Sequence, residues 1–171
     1  MADTYTLISS VTVGAGGASS IDFTSIPSTY TDLLVKGSLR ATGAGAGNAY
    51  SVYLQLNTVT TNRTYRRLYG FGSTTGSDNG TAAVIATAGG TGGTANTFDN
   101  FEIYIPNYAG STNKSFSVDG VAEDNSASNN ELDLVAGLWS NTSAINAVGL
   151  TINGQTIAQY STAYLYGIKN S

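Results

Sequence analysis

Neither cysteine nor histidine occurs among the 171 residues of this chain, and only 11% of them are charged. No disulfide can form, so the fold must stand on packing alone, and the composition suits synthesis in a reducing compartment. General acid–base, nucleophilic and zinc chemistry draw first on histidine, cysteine and clustered carboxylates. Two of these are missing and the third is thin, which argues against an enzyme and against a resident metal or cofactor. Apolar runs are short as well. None approaches the ~20 residues of a membrane-spanning helix. Met1-Ala2-Asp3-Thr4-Tyr5 puts an acid where a secretory leader carries basic residues. Neither secretion nor membrane insertion is expected. Basic residues are scarce too: seven Lys and Arg against eleven Asp and Glu leave a net charge of −4, which lacks the basic footprint a nucleic acid demands.

What is present is material for β-sheet. Apolar residues recur at period two far more often than at 3.6, and Thr, Val, Ile and Tyr crowd the ordered stretches. Strands are expected at Tyr5–Val13, Ser20–Thr24, Asp32–Arg40, Tyr50–Asn57, Thr64–Phe71, Phe98–Ile105, Lys114–Glu123, Glu131–Ser140, Ala144–Ile152 and Ala158–Lys169. Leu33, Val35 and Leu39 share one face of the third, with Lys36 and Arg40 on the other. Val52, Leu54 and Leu56 face away from Ser51, Gln55 and Asn57, and Phe101, Ile103 and Ile105 away from Glu102 and Tyr104. Such alternation belongs to antiparallel strands with one face in a core and one outward. Eight to ten short strands joined by Gly-, Ser- and Thr-rich turns point to a single all-β domain spanning residues 1–171. The architecture expected is an antiparallel β-sandwich of the jelly-roll kind. Residues 73–96, with Gly89-Gly90-Thr91-Gly92-Gly93, read as a long glycine-rich surface loop in which only Thr81–Thr87 could pair as a short strand.

Two strands break the alternation. Glu131–Ser140 places Leu132, Leu134, Ala136 and Leu138 on one face, and Asp133, Val135, Gly137 and Trp139 on the other. The last strand has Tyr164, Tyr166 and Ile168 opposite Ala163, Leu165 and Gly167. A strand apolar on both sides is normally covered on both sides. The cover is either a loop or a second subunit, and the concentration of aromatics favours a subunit. The interface expected from this pattern uses Val135, Trp139, Tyr164, Leu165 and Tyr166.

Motifs for chemistry are weak. The glycine-rich runs lack the Gly-Lys-Ser/Thr ending and the following helix of a phosphate loop. Asp119, Glu123, Asp124, Glu131 and Asp133 gather among asparagines. Oxygen ligands of this kind can hold calcium, but their spacing follows no calcium loop, and turn chemistry alone selects such residues at a hairpin tip. Arg63, Arg66 and Arg67 form the one basic cluster. They read as strand-edge charges that discourage aberrant pairing, or as a contact for an acidic partner. Eleven tyrosines leave open a carbohydrate-binding role through ring stacking.

Three stretches carry a resemblance: Ile26-Pro27-Ser28-Thr29-Tyr30-Thr31-Asp32-Leu33-Leu34-Val35, Glu102-Ile103-Tyr104-Ile105-Pro106-Asn107-Tyr108-Ala109-Gly110-Ser111, and Gln159-Tyr160-Ser161-Thr162-Ala163-Tyr164-Leu165-Tyr166-Gly167-Ile168-Lys169. With Ala136-Gly137-Leu138-Trp139, they resemble small virion proteins of tailed bacteriophages. The resemblance implies a jelly-roll structural component of the particle, often trimeric, made in the host cytoplasm and residing in the virion. Capsid decoration or cement, bound to the major capsid protein or other virion proteins, is the role expected. A tail-fibre or receptor-binding module that takes a host glycan is the alternative. Because the chain opens in one strand and closes just after another, a compact stand-alone protein is expected. No catalytic or ligand residues transfer, since the similarity lies in fold residues.

Overall fold

A computed structural model describes residues 4–126 and 128–169. All ten expected strands are present, with ends moved by a few residues. They and two more make twelve: β1 (Tyr5–Thr12), β2 (Ile21–Phe23), β3 (Asp32–Leu39), β4 (Tyr50–Leu56), β5 (Arg63–Phe71), β6 (Thr74–Gly80), β7 (Val84–Ala88), β8 (Asp99–Ile105), β9 (Lys114–Ala122), β10 (Glu131–Trp139), β11 (Val148–Ile152) and β12 (Thr162–Ile168). They build two antiparallel sheets packed face to face, a β-sandwich. The larger has the order β1-β12-β3-β8-β9-β10-β5-β6 and the smaller β2-β11-β4-β7.

The pairings are nested. First pairs with last (β1·β12), then β2·β11, β3·β8 and β4·β7, as when one long hairpin is rolled upon itself. Two hairpins stand outside the nesting. β5–β6 and β9–β10 join each other through β5·β10 and join the roll through β8·β9, so they extend the larger sheet by four strands.

Alternation sets what goes inside. Leu33, Val35, Ile103, Val118 and Leu165 of the larger sheet meet Val52, Leu54, Val148 and Leu150 of the smaller one, all at most 2% exposed. Where the two sheets approach on the line of Phe101 and Phe116, the cross-strand neighbours are Gly37 and Gly137, and each ring lies over its glycine. The glycine leaves the ring a seat and keeps the layer flat.

The expectation of a surface loop over residues 73–96 is wrong. Thr74–Gly80 form the edge strand β6, and Val84–Ala88 form β7, buried along its whole length at the edge of the smaller sheet. The possible short strand at Thr81–Thr87 is β7, shifted by a few residues, whereas composition hid β6. The β6 sequence TTGSDNG has little strand propensity, but β5 supplies a full ladder, and the rings of Tyr69 and Tyr65 rest on Gly76 and Gly80 opposite them. β7 is five residues without a polar face to alternate against. The glycine-rich turn that follows is held, not loose. Gly90 N–H donates to Gly45 O (2.9 Å) and Thr91 N–H to Gly43 O (2.7 Å). Gly90 lies so near the Gly43 carbonyl that a Cβ would collide with it. Arg40, expected to face solvent beside Lys36, instead turns inward and donates to the carbonyls of Gly90 (2.8 Å), Thr94 (2.8 Å) and Thr97 (2.9 Å).

Candidate interaction surface

The outward face of the larger sheet holds the apolar side chains that the core does not use. Among the described residues, Tyr5, Leu7, Leu68, Tyr104, Val121, Leu132, Leu134, Leu138 and Tyr164 are large, apolar or aromatic, and exposed, and strand parity puts all nine on this face. Tyr160, in a turn, is the tenth. Soluble surfaces carry scattered single hydrophobics, whereas a contiguous patch marks a contact site.

Register divides the face in two. On the rolled strands β1, β12, β3 and β8, Leu7 lies opposite Tyr166, Tyr166 opposite Leu34, and Leu34 opposite Tyr104. On the added hairpins, Leu134 lies opposite Leu68, Leu132 opposite Val121, and Ala136 opposite Arg66. A polar seam separates the halves: Lys36 pairs with Glu102 (2.8 Å), and Asp119 sits opposite Glu102 on the next strand. The tyrosine half holds a recess of about 310 Å³ lined by Tyr5, Leu34, Lys36, Glu102 and Tyr166. The leucine half holds a shallow groove of about 510 Å³ between Leu68, Leu132, Leu134 and the β6 backbone. The tyrosine half is anchored at the start of β3, where Tyr104 Oη donates to Asp32 Oδ2 (2.9 Å) while Asn107 N–H donates to Asp32 Oδ1 (2.9 Å).

Neither the family models nor the curated proteins compared with this chain give a match. The surface must therefore be read from its own chemistry.

Three of the five residues expected at an interface lie elsewhere. Val135, Trp139 and Leu165 are buried within the sandwich and give nothing to an outer surface. Tyr164 and Tyr166 do face outward, exposed and half-buried respectively. The error lies in choosing the inner side of β10. That side carries Glu131 and Asp133, so the sequence reads it as the wetter face, but both carboxylates are buried. The residues missed are Leu68, Leu132, Leu134, Leu138 and Val121. The signal for Leu132, Leu134 and Leu138 is the apolar alternation of β10, continued through Ala136.

The arginine cluster also divides. Only Arg66 is free on the outer face. Arg63 is buried, donating to the carbonyls of Leu54 and Thr60, and its Nε and the Nε1 of cross-strand Trp139 have no hydrogen-bond partner. Arg67 points inward to Asp78 (2.7 Å), Glu131 (2.8 Å) and Asp133 (3.2 Å) and stacks on Tyr69 (4.7 Å). Neither can meet an acidic partner. Lys114, in register with Trp139 on its other side, is likewise used internally, donating to the carbonyls of Gly110 (2.7 Å) and Thr112 (2.5 Å).

The acidic cluster disperses in the same way. Asp119 faces outward, Glu123 caps an exposed turn through Asn125 N–H (2.7 Å), and Asp124 accepts from Ser126 N–H (3.0 Å). Glu131 also accepts from the Asn48 amide (2.5 Å). Among the described residues, no three acidic side chains are placed to hold a metal ion. Burial, with Glu131 beside it, raises Asp133 to about 7 against the pull of Arg67. Burial raises Asp99 to about 6, opposed by the N–H groups of Gly89 (2.5 Å) and Glu123 (3.1 Å) that its carboxylate accepts. These groups brace the end of the sandwich that carries the glycine-rich turn.

Proposed function

We propose that the chain is a non-enzymatic structural protein of a bacteriophage particle, a jelly roll that decorates and stabilises the assembled shell. The nested pairing supports the jelly-roll reading: with the two added hairpins set aside, two four-stranded sheets remain, β1-β12-β3-β8 and β2-β11-β4-β7, the winding of a rolled ribbon. The observation that carries the functional reading is the collection of nine exposed apolar side chains on one sheet face. Meanwhile the buried carboxylates accept from Arg67, Asn48, Tyr104 and backbone N–H groups. Such a protein works by contact area. Three copies joined as a trimer and bound at symmetry-related places multiply a modest affinity through effective concentration. Binding the assembled shell and not its free subunits stabilises the shell. The protein is made in the host cytoplasm and resides in the virion.

The test is addition of purified protein to phage particles that lack it, followed by co-sedimentation and heating. Saturable binding at micromolar concentration and a higher disruption temperature are the expected results. No binding and no change in disruption temperature would overturn the reading. The recess of Tyr5, Leu34, Lys36, Glu102 and Tyr166 favours a second reading, a glycan-binding tail module. Two rings offer stacking faces there, and the ion pair offers a donor and an acceptor to adjacent hydroxyls. Hits on an array of neutral host glycans that Tyr166→Ala abolishes would favour it, and an empty array would remove it.

A further inference from the structure

We infer that the leucine half of the outer face, β9, β10, β5 and β6, is where copies of this chain pack against one another. This deepens the proposed trimer by placing its interface on the two hairpins outside the nested roll. Area is the first argument. Eight strands about 4.8 Å apart and about 25 Å long give the outer face about 1,000 Å² in projection, and the four hairpin strands alone about 500 Å². A stable interface takes about 800 Å² of accessible surface from each partner. The hairpin half in projection falls short of that figure, and Leu68, Leu132 and Leu134 at 56–59% exposure, with Leu138 at 38%, stand out from it and add accessible surface.

Charge is the second argument, and it selects the occupant. The chain carries −4 overall, so two copies repel over most of their surfaces. The outward side chains of these four strands are leucine, valine, alanine, serine, threonine and asparagine, with two charges only: Arg66 on β5 and Asp119 on β9, exposed and of opposite sign. They flank β10 on its two sides. The patch therefore sums to zero, and a neighbouring copy related by a three-fold axis can bring its Arg66 side toward the Asp119 side of this one with no like charges opposed. A desolvated apolar centre with a polar, charge-paired rim is the anatomy of a stable interface.

A third observation is the construction of this half. The nested roll is complete without β5–β6 and β9–β10, which place Leu68, Leu132, Leu134 and Leu138 on a sheet extension. Their outward leucines contribute nothing to the chain's own core.

Sedimentation of the full chain at micromolar concentration tests this, beside Leu134→Glu and Leu132→Glu. Both positions are exposed, so circular dichroism should stay native. The expected result is an assembly in the parent and a threefold lower mass in each variant. A monomeric parent overturns the inference, as does an assembly that survives both glutamates. A dimer that the glutamates dissolve supports this interface and overturns only the three-fold arrangement proposed above. A second readout uses the absence of cysteine: Leu134→Cys introduces the sole thiol. Mild oxidation should link copies of L134C in high yield and copies of Tyr164→Cys at least tenfold less. Equal yields overturn the placement.

Discussion

At the scale of single residues, the decisive choices are small side chains beside large ones and ionisable groups kept from water. Gly137 is an example: the Phe116 ring of the neighbouring strand lies over it, and a methyl there would overlap the ring. Gly137→Ala should cost about 1–3 kcal/mol through overpacking, lowering Tm by about 2–12 °C in a chain of this size. An unchanged melting curve would show that the ring moves aside freely. Asp133 makes the opposite kind of prediction, in pH. Its carboxyl holds a proton up to about 7 in the folded chain, against about 3.9 when unfolded. Between these values the folded state binds more protons than the unfolded one, so this group's contribution is full below about pH 4 and fades as pH rises toward 7. Asp99, raised to about 6, acts in the same direction. The protein should therefore melt higher at pH 5 than at pH 8, and Asp133→Asn should shrink that difference. A variant whose melting follows pH as steeply as the parent's would remove Asp133 from this account. None of this was legible in the sequence, because Asp133 alternates with leucines and looks like an ordinary surface acid.

At the scale of elements, alternation made ten strands legible, β7 showed only as a possible pairing at Thr81–Thr87, and the polar, glycine-containing sequence of β6 concealed it. Period two reports which strands have one dry side, as in Phe101, Ile103 and Ile105 of β8. It is silent on β7, where both sides are dry, and on β6, whose edge position tolerates a polar, glycine-rich sequence. It also does not say which apolar side is inward. In β10 the leucines look like core, yet Val135 and Trp139 are the core residues. The sheet's inner layer needs the indole's volume, and Arg67 lets Glu131 and Asp133 be buried beside it. The glycine-rich turn after β7 depends on Arg40 and its three carbonyl acceptors. Charge-assisted bonds of this kind contribute about 1.5–3 kcal/mol each before their strong overlap is counted. Arg40→Ala should therefore cost about 2–4 kcal/mol in total. It should also speed hydrogen exchange at Gly90 and Thr91, whose amides bond across to the 43–45 turn, while leaving β3 and β8 protected. Uniform loss of protection would mean that Arg40 supports the whole sandwich and not this turn.

For the whole molecule, the rolled ribbon and the added hairpins divide the outer face between tyrosine and leucine, and the leucine half ties stability to assembly. If copies associate through it, folding and association are linked, and the midpoint of unfolding rises with protein concentration. For a trimer that dissociates as it unfolds, each tenfold rise in concentration adds about 1 kcal/mol per chain, or about 2–4 °C in Tm. Calorimetry from 2 to 200 μM should therefore move the parent's Tm upward by about 4–8 °C. Leu134→Glu should melt at one temperature throughout, because its leucine groove (Leu68, Leu132 and Leu134) would have to bury a carboxylate with no partner on the facing copy. Since Leu134 is already exposed in the single chain, the variant at low concentration should melt close to the parent. Coincident curves for the parent at both ends of that range would leave the leucines as uncovered surface on a lone chain. The outer face would then have to find its partner outside this sequence.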